Sequence, residues 1–144
     1  MKKFIIFYFL ILSLLSFGKE NHEERILNLV NSYRISAGIK PLKNNPNLKK
    51  LADLKANDMA KYKYFDHTSK KLGTISKMLK KNNIKYRFAG ENIAKGQTSP
   101  EEVVAMWMAS KGHRKNILNP NFHEIGIGID GYSNNIWTQL FIGD

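Results

Sequence analysis

Residues 124–129 read Glu-Ile-Gly-Ile-Gly-Ile, and this short run decides what kind of fold the chain adopts. Ile125, Ile127 and Ile129 alternate with Gly126, Gly128 and Asp130. An apolar period of two is the pattern of a β-strand. Glycine at the alternate positions strips one face of side chains and lets another backbone approach it closely. Ser133-Asn134-Asn135 supplies a turn, and residues 136–142 read as a second strand antiparallel to the first.

Upstream of Asn119-Pro120 the periodic segments carry a helical period instead. Asn21 with Glu24 three residues later is a capping box, followed by Ile26, Val30, Tyr33 and Ala37 at helical spacing, with Gly38 as the stop. Pro46 opens a second helix whose apolar stripe is Leu48, Leu51, Ala52, Ala56 and Met59. Phe65-Asp66-His67 falls in the loop beyond it, and 74–81 reads as a short basic helix. Ser99-Pro100-Glu101-Glu102 is a strong helix start; Val103, Val104, Trp107 and Met108 form the apolar side, and Gly112 is the expected end. Helices first and strands last predict an α+β fold, with helices packed on a small antiparallel sheet.

Composition bounds the rest. The 144 residues are 42% hydrophobic and 11% aromatic, enough for one domain with a packed core. The absence of cysteine excludes disulfides, thiolate zinc sites and cysteine nucleophiles. Met1-Lys2-Lys3, an apolar run over 4–17 and the small residues Ser16 and Gly18 form the pattern of a secretory signal peptide cut after Gly18. The run is shorter than the roughly 20 residues of a membrane span. The reading is therefore a signal over 1–18 and a mature chain over 19–144, working outside the cytoplasm, with an uncleaved membrane anchor as the alternative.

The formal charge is +11, from 23 Lys and Arg against 12 Asp and Glu. The excess sits in residues 40–95, which hold 15 basic and four acidic residues. Such a run is either a solvated face or a footprint for phospholipid or acidic glycan. Nucleic acid is not expected as a partner. Only four of the basic residues are Arg, whose fork suits phosphate and guanine best, and no nucleic-acid motif is visible.

Three segments place titratable side chains beside glycine or at element ends: Tyr64-Phe65-Asp66-His67, Gly90-Glu91-Asn92-Ile93-Ala94 and Gly112-His113-Arg114-Lys115-Asn116-Ile117-Leu118. Two neutral imidazoles and a carboxylate can hold a divalent metal such as zinc with water in an open position, although the spacing alone does not require it. Asn92 and Asn116 are expected to bond backbone rather than ligand. Trp107 is expected to pack, and His22 and His123 to face solvent. Arg114 either pairs with a cleft carboxylate or is exposed. A Ser110–His113 nucleophile is disfavoured, because no nucleophile elbow or oxyanion loop is present.

The segments NSYRISAGIKPL, DMAKYKYFDHTS, FAGENIAKG, EEVVAMWMASKGHRKNIL and EIGIGI, in this order, resemble the CAP superfamily or SCP domain. That superfamily comprises cysteine-rich secretory proteins, antigen 5 and plant pathogenesis-related 1 proteins, and the likeness is to its short, cysteine-free bacterial branch. The resemblance implies one domain over 19–144, an α-β-α sandwich with a three-stranded antiparallel sheet between helical layers, and a central cleft. It also implies a cleft tetrad of two His and two Glu, with His67, Glu91 and His113 matching three of them. The fourth position, three after Trp107, is Ser110. Glu101 and Glu102 lie a turn or more earlier, and Glu124 is a weaker substitute. In the family the metal is held mainly by the two His, here His67 and His113.

Three functions follow as expectations. The first is a secreted binding module with a polar cleft and a lysine-rich flank for a lipid, sterol, glycan or host-protein ligand, with membrane-surface contact open. The second is a metal-dependent hydrolase with Glu91 as general base. The third is a structural or host-interaction surface protein whose cleft only stabilises the fold. The missing carboxylate favours a non-enzymatic reading.

Overall fold

The computed structural model describes residues 20–144, and the expected signal segment over 1–18 lies outside them. The elements run α1 (His22–Ser36), β1 (Lys43–Asn44), α2 (Pro46–Tyr62), α3 (Ile75–Lys81), β2 (Phe88–Lys95), α4 (Pro100–Ala109), α5 (Lys111–Ile117), β3 (Glu124–Ile129) and β4 (Ile136–Gly143). The sheet order is β1-β3-β4-β2. Helices cover both faces, so the α+β sandwich expected from the sequence is present.

The glycine-alternating strand explains the sandwich. Ile125 and Ile127 face a core formed with α1, α4 and α5, alongside Trp107, Trp137 and Phe141. Gly126 and Gly128 face α2. A Cβ at Gly126 would sit 2.2 Å from the Leu48 carbonyl carbon, and one at Gly128 would sit 2.2 Å from that of Ala52. Strand and helix therefore touch backbone to backbone. Leu48, Leu51 and Ala52 of α2 fill the space beside them with Leu140 and Ile142 of β4.

The helix signals hold. Asn21 and Glu24 form the reciprocal capping box, Asn45 caps α2 with Pro46 in its first turn, and Ser99 caps α4. Four features differ from expectation. The sheet has four strands, because two-residue β1 pairs parallel to β3, too short to leave a periodic signal. Residues 88–95 form an edge strand antiparallel to β4 that the sequence reading did not foresee, and Glu91, beside Gly90, lies inside it. The α4 helix stops at Ala109: Ser110 takes extended angles (φ −100, ψ 123), and Gly112 lies within α5. Tyr33 and Ala37 are exposed, and Arg34 is the buried continuation of the α1 stripe.

Arg34 is 1% exposed and bonds no carboxylate among the described residues. Its guanidinium donates to the carbonyls of Lys40 (2.8 Å), Ile117 (2.8 Å), Asn119 (2.9 Å) and Phe122 (3.0 Å). The rigid fork of donors thus ties α1 to the segment between α5 and β3. Asp130 does the same for the hairpin turn, accepting from the backbone of Tyr132, Ser133, Asn135 and Ile136. These bonds outweigh its desolvation and hold its carboxyl below the usual range.

Candidate functional site

Edge strand β2, the loop after α2 and the start of α5 meet at one place. His67 arrives from the loop. Its Nδ1 lies 2.7 Å from Glu91 Oε1, with the Glu91 side chain 4% exposed and the His67 side chain 62% exposed. The loop is anchored from below by two α2 residues three apart. Lys55 Nζ donates to the His67 carbonyl at 2.7 Å. Asp58 Oδ2 accepts from the Tyr64 hydroxyl and, at 2.6 Å, from Ser69 Oγ.

Lys55 is 0% exposed, and its Nζ lies 5.4 Å from the centroid of the Tyr64 ring. Burial pushes its ammonium down, while Glu91, Asp58 and Asp66 pull it back up. Sequence reading passes over this residue. Its position on the α2 stripe, between Leu51 and Met59, is the signal that could have found it.

Burial pushes the Glu91 carboxyl above its ordinary value, more than Lys55 and the bond to His67 lower it. The same cause, with repulsion from His67, pushes the His113 imidazole down. Tyr64 is pushed up to about 12 by burial and by its bond to Asp58. Glu91 Oε2 and His113 Nδ1 are both buried and have no hydrogen-bond partner among the described residues. A carboxylate oxygen and an imidazole nitrogen are thus left with bonding capacity that the protein does not use.

The amides lock α5 to β2, bonding to backbone as expected and also to one another. Asn92 Nδ2 donates to the His113 carbonyl (3.1 Å) and to Gln139 Oε1 (3.1 Å), and Asn116 Nδ2 donates to the Glu91 carbonyl (3.2 Å) and to Asn92 Oδ1 (2.9 Å). Trp107 is fully buried, with Nε1 donating to the Ile93 carbonyl. Arg114 is exposed and donates to the Met108 carbonyl rather than to a cleft carboxylate. Ser110 sits at the α4–α5 junction and makes no side-chain cap bond. Glu124 lies on β3, next to the β1 edge and away from the β2 edge, where Asn45 donates to it at 3.3 Å. Glu101 pairs with Arg25, and Glu102 binds Thr98 at the start of α4. His22 and His123 face solvent.

Among the described residues, no group of three or more His, Cys, Asp or Glu is arranged to hold a metal ion. His67 bonds Glu91 Oε1, so His67, Glu91 and His113 stand as a hydrogen-bonded pair beside an imidazole rather than as a formed ligand sphere.

A family model described as the cysteine-rich secretory protein family, CAP, matches residues 27–141. The uncharacterized protein YkwD of Bacillus subtilis is 52% identical over 122 residues, covering 85% of this chain and 47% of its own length. The uncharacterized membrane protein YlbC of the same organism is 34% identical over 120 residues, covering 83% of this chain and 34% of its own length. The chain thus spans less than half the length of these curated relatives. An extracellular protein containing an SCP domain from Bacillus anthracis superposes with a TM-score of 0.80 at 32% identity, covering 85% of this chain and 40% of that one. An outer surface protein from Borrelia burgdorferi shares the fold at TM-score 0.74 and 20% identity, covering 82% of this chain and 89% of that one.

Proposed function

The chain belongs to the cysteine-rich secretory protein family, CAP, and from that premise we propose that it is an extracellular binding module. Its His67–Glu91–His113 cleft receives part of a ligand, and its lysine-rich flank steers that ligand in. The observation that carries this reading is the pair of buried, unpartnered atoms, Glu91 Oε2 and His113 Nδ1. Both are closed to solvent, so a ligand gains their hydrogen bonds only by moving the exposed His67 ring, and they are set in a frame rigidified by Lys55, Asp58 and Asn92.

Hydrolysis is the weaker reading. A single carboxylate at the site, with Ser110 at the fourth tetrad position, lacks the second carboxylate that a two-carboxylate mechanism would need, and no three-ligand metal set is formed among the described residues. Work outside the cytoplasm is supported by the signal pattern over 1–18 and by the extracellular SCP-domain relative from Bacillus anthracis. No helix among the described residues is long and apolar enough to cross a membrane.

The test is a panel of glycans and lipid vesicles probed with purified protein at low and high salt, beside a broad peptide library supplied with zinc. Salt-sensitive binding with the peptides left intact is the expected result. Cleavage that disappears in Glu91→Gln would replace this reading with the hydrolase.

A further inference from the structure

A hollow of about 670 Å³ opens where α2 ends, and its lining includes Tyr62, Lys63, Lys70 and Lys71. A second, of about 200 Å³, also touches Tyr62 and Lys71 and adds Leu54, Lys61 and Tyr132. The two therefore flank one tyrosine. Neither His67, Glu91 nor His113 lines them.

This recess has a definite chemistry. Tyr62 is 51% exposed and Tyr132 is 68% exposed. The Lys61 and Lys71 ammoniums lie over the Tyr62 ring, 5.4 and 5.7 Å from its centroid, so positive charge gathers on a half-exposed aromatic ring, and the flexible lysine stems can yield to a stacking partner. All four lysines are exposed. The acidic groups that face them are Asp58 and Asp66. Asp58 is 6% exposed, with Oδ2 taken by Tyr64 and Ser69, and Asp66 Oδ1 accepts from the Thr68 backbone. The recess is thus cationic and walled by tyrosine faces. A bilayer presents a plane, which a protruding apolar wedge would enter, whereas here the rings line a concavity. A chain of sugar rings bearing anions fits it better: the rings stack on tyrosine, and the anions meet ammonium groups, which as point charges accept sulfate, carboxylate or phosphate alike.

We propose that the recess around Tyr62 binds an acidic polysaccharide, whose sugar rings stack on Tyr62 and Tyr132 and whose anionic groups pair with Lys61, Lys63, Lys70 and Lys71. This rests on the binding-module reading and names its ligand class.

The experiment measures retention of the purified protein on dextran sulfate, on neutral dextran and on phosphatidylglycerol vesicles. It compares the unaltered chain with Tyr62→Ala, with Lys70→Ala/Lys71→Ala, and with Lys80→Ala/Lys81→Ala. The last pair removes the same charge from exposed positions at the end of α3, outside the recess. Dextran sulfate should bind and neutral dextran should not. The Lys70/Lys71 pair should weaken binding about tenfold and Tyr62→Ala about threefold, with the Lys80/Lys81 pair changing it less than about twofold and melting temperatures unaltered. Equal loss from both lysine pairs would overturn the proposal in favour of unspecific charge. So would full binding by Tyr62→Ala, no binding by the unaltered chain, or vesicles that displace dextran sulfate with the same dependence on the variants. If dextran sulfate fails while another ligand of the panel binds, this proposal alone falls. If nothing binds, the binding-module reading falls with it.

Discussion

Glu91 and His67 share a 2.7 Å hydrogen bond that crosses from the protein interior to solvent, one side chain 4% exposed and the other 62%. The buried partner carries the energetic burden. Desolvation raises the Glu91 carboxyl despite Lys55 and His67, so its ionised form is net unfavourable in the fold. Its contribution to stability is present below the ordinary carboxylate range and is lost as pH rises through its raised value. Glu91→Gln should therefore keep or raise the melting temperature at pH 7.5, by about 2 °C, with the gain vanishing toward pH 4. Calorimetric scans across that range check it. A purely structural cleft predicts the reverse, a lower melting temperature at neutral pH.

His113 titrates in the opposite sense. Burial, aided by His67, depresses its imidazole, so the unfolded chain binds the proton more tightly than the folded one. The stability it provides is present above the ordinary histidine range and is lost as pH falls through its depressed value. Denaturant unfolding of His113→Gln should show a shallower acid loss than the unaltered protein between pH 7.5 and pH 5. An identical slope would contradict the assignment.

Removing the ammonium of Lys55 orphans the His67 carbonyl and takes a positive neighbour from Glu91. Lys55→Ala should cost about 2–3 kcal/mol and should loosen the His67 loop, giving faster amide exchange over residues 66–69. Unchanged exchange there would mean that the loop is held by Asp58 alone.

Arg34→Lys keeps a positive charge but cannot serve four carbonyls at once. Loss of about 2–4 kcal/mol is expected in equilibrium unfolding. A cost below about 1 kcal/mol would show that water can take over those carbonyls.

Gly128→Ala places a methyl group 2.2 Å from the backbone of α2. Neither the strand nor the helix axis can yield that much, so the variant should lose more than about 3 kcal/mol or fail to fold. A stable, native-like circular dichroism spectrum would contradict the close backbone approach.

Much of this architecture is legible without coordinates because local chemistry and tertiary role agree. The alternating isoleucines, the Asn21–Glu24 box, Pro46 and Ser99 all state their structure locally. The β2 strand does not. Glu91 and Asn92 break the apolar alternation, since each is buried for its contacts rather than for hydrophobicity. Lys55 and Arg34 are hidden for a related reason: a charged residue on an apolar stripe reads as solvent-facing, and only carbonyls brought in from distant segments make its burial favourable. The convergence of His67, Glu91 and His113 is likewise invisible to spacing alone, and it enters through the family resemblance. The recess around Tyr62 needs α2, its following loop and the β3–β4 turn at once.

The most direct test of the central reading is retention of the purified protein on an array of glycans and lipids at about 50 and about 300 mM salt. The account predicts that at least one ligand class is held at the lower salt, is weakened at the higher, and is weakened again by Glu91→Gln or by the Lys70→Ala/Lys71→Ala pair. An array that retains nothing at either salt would contradict it.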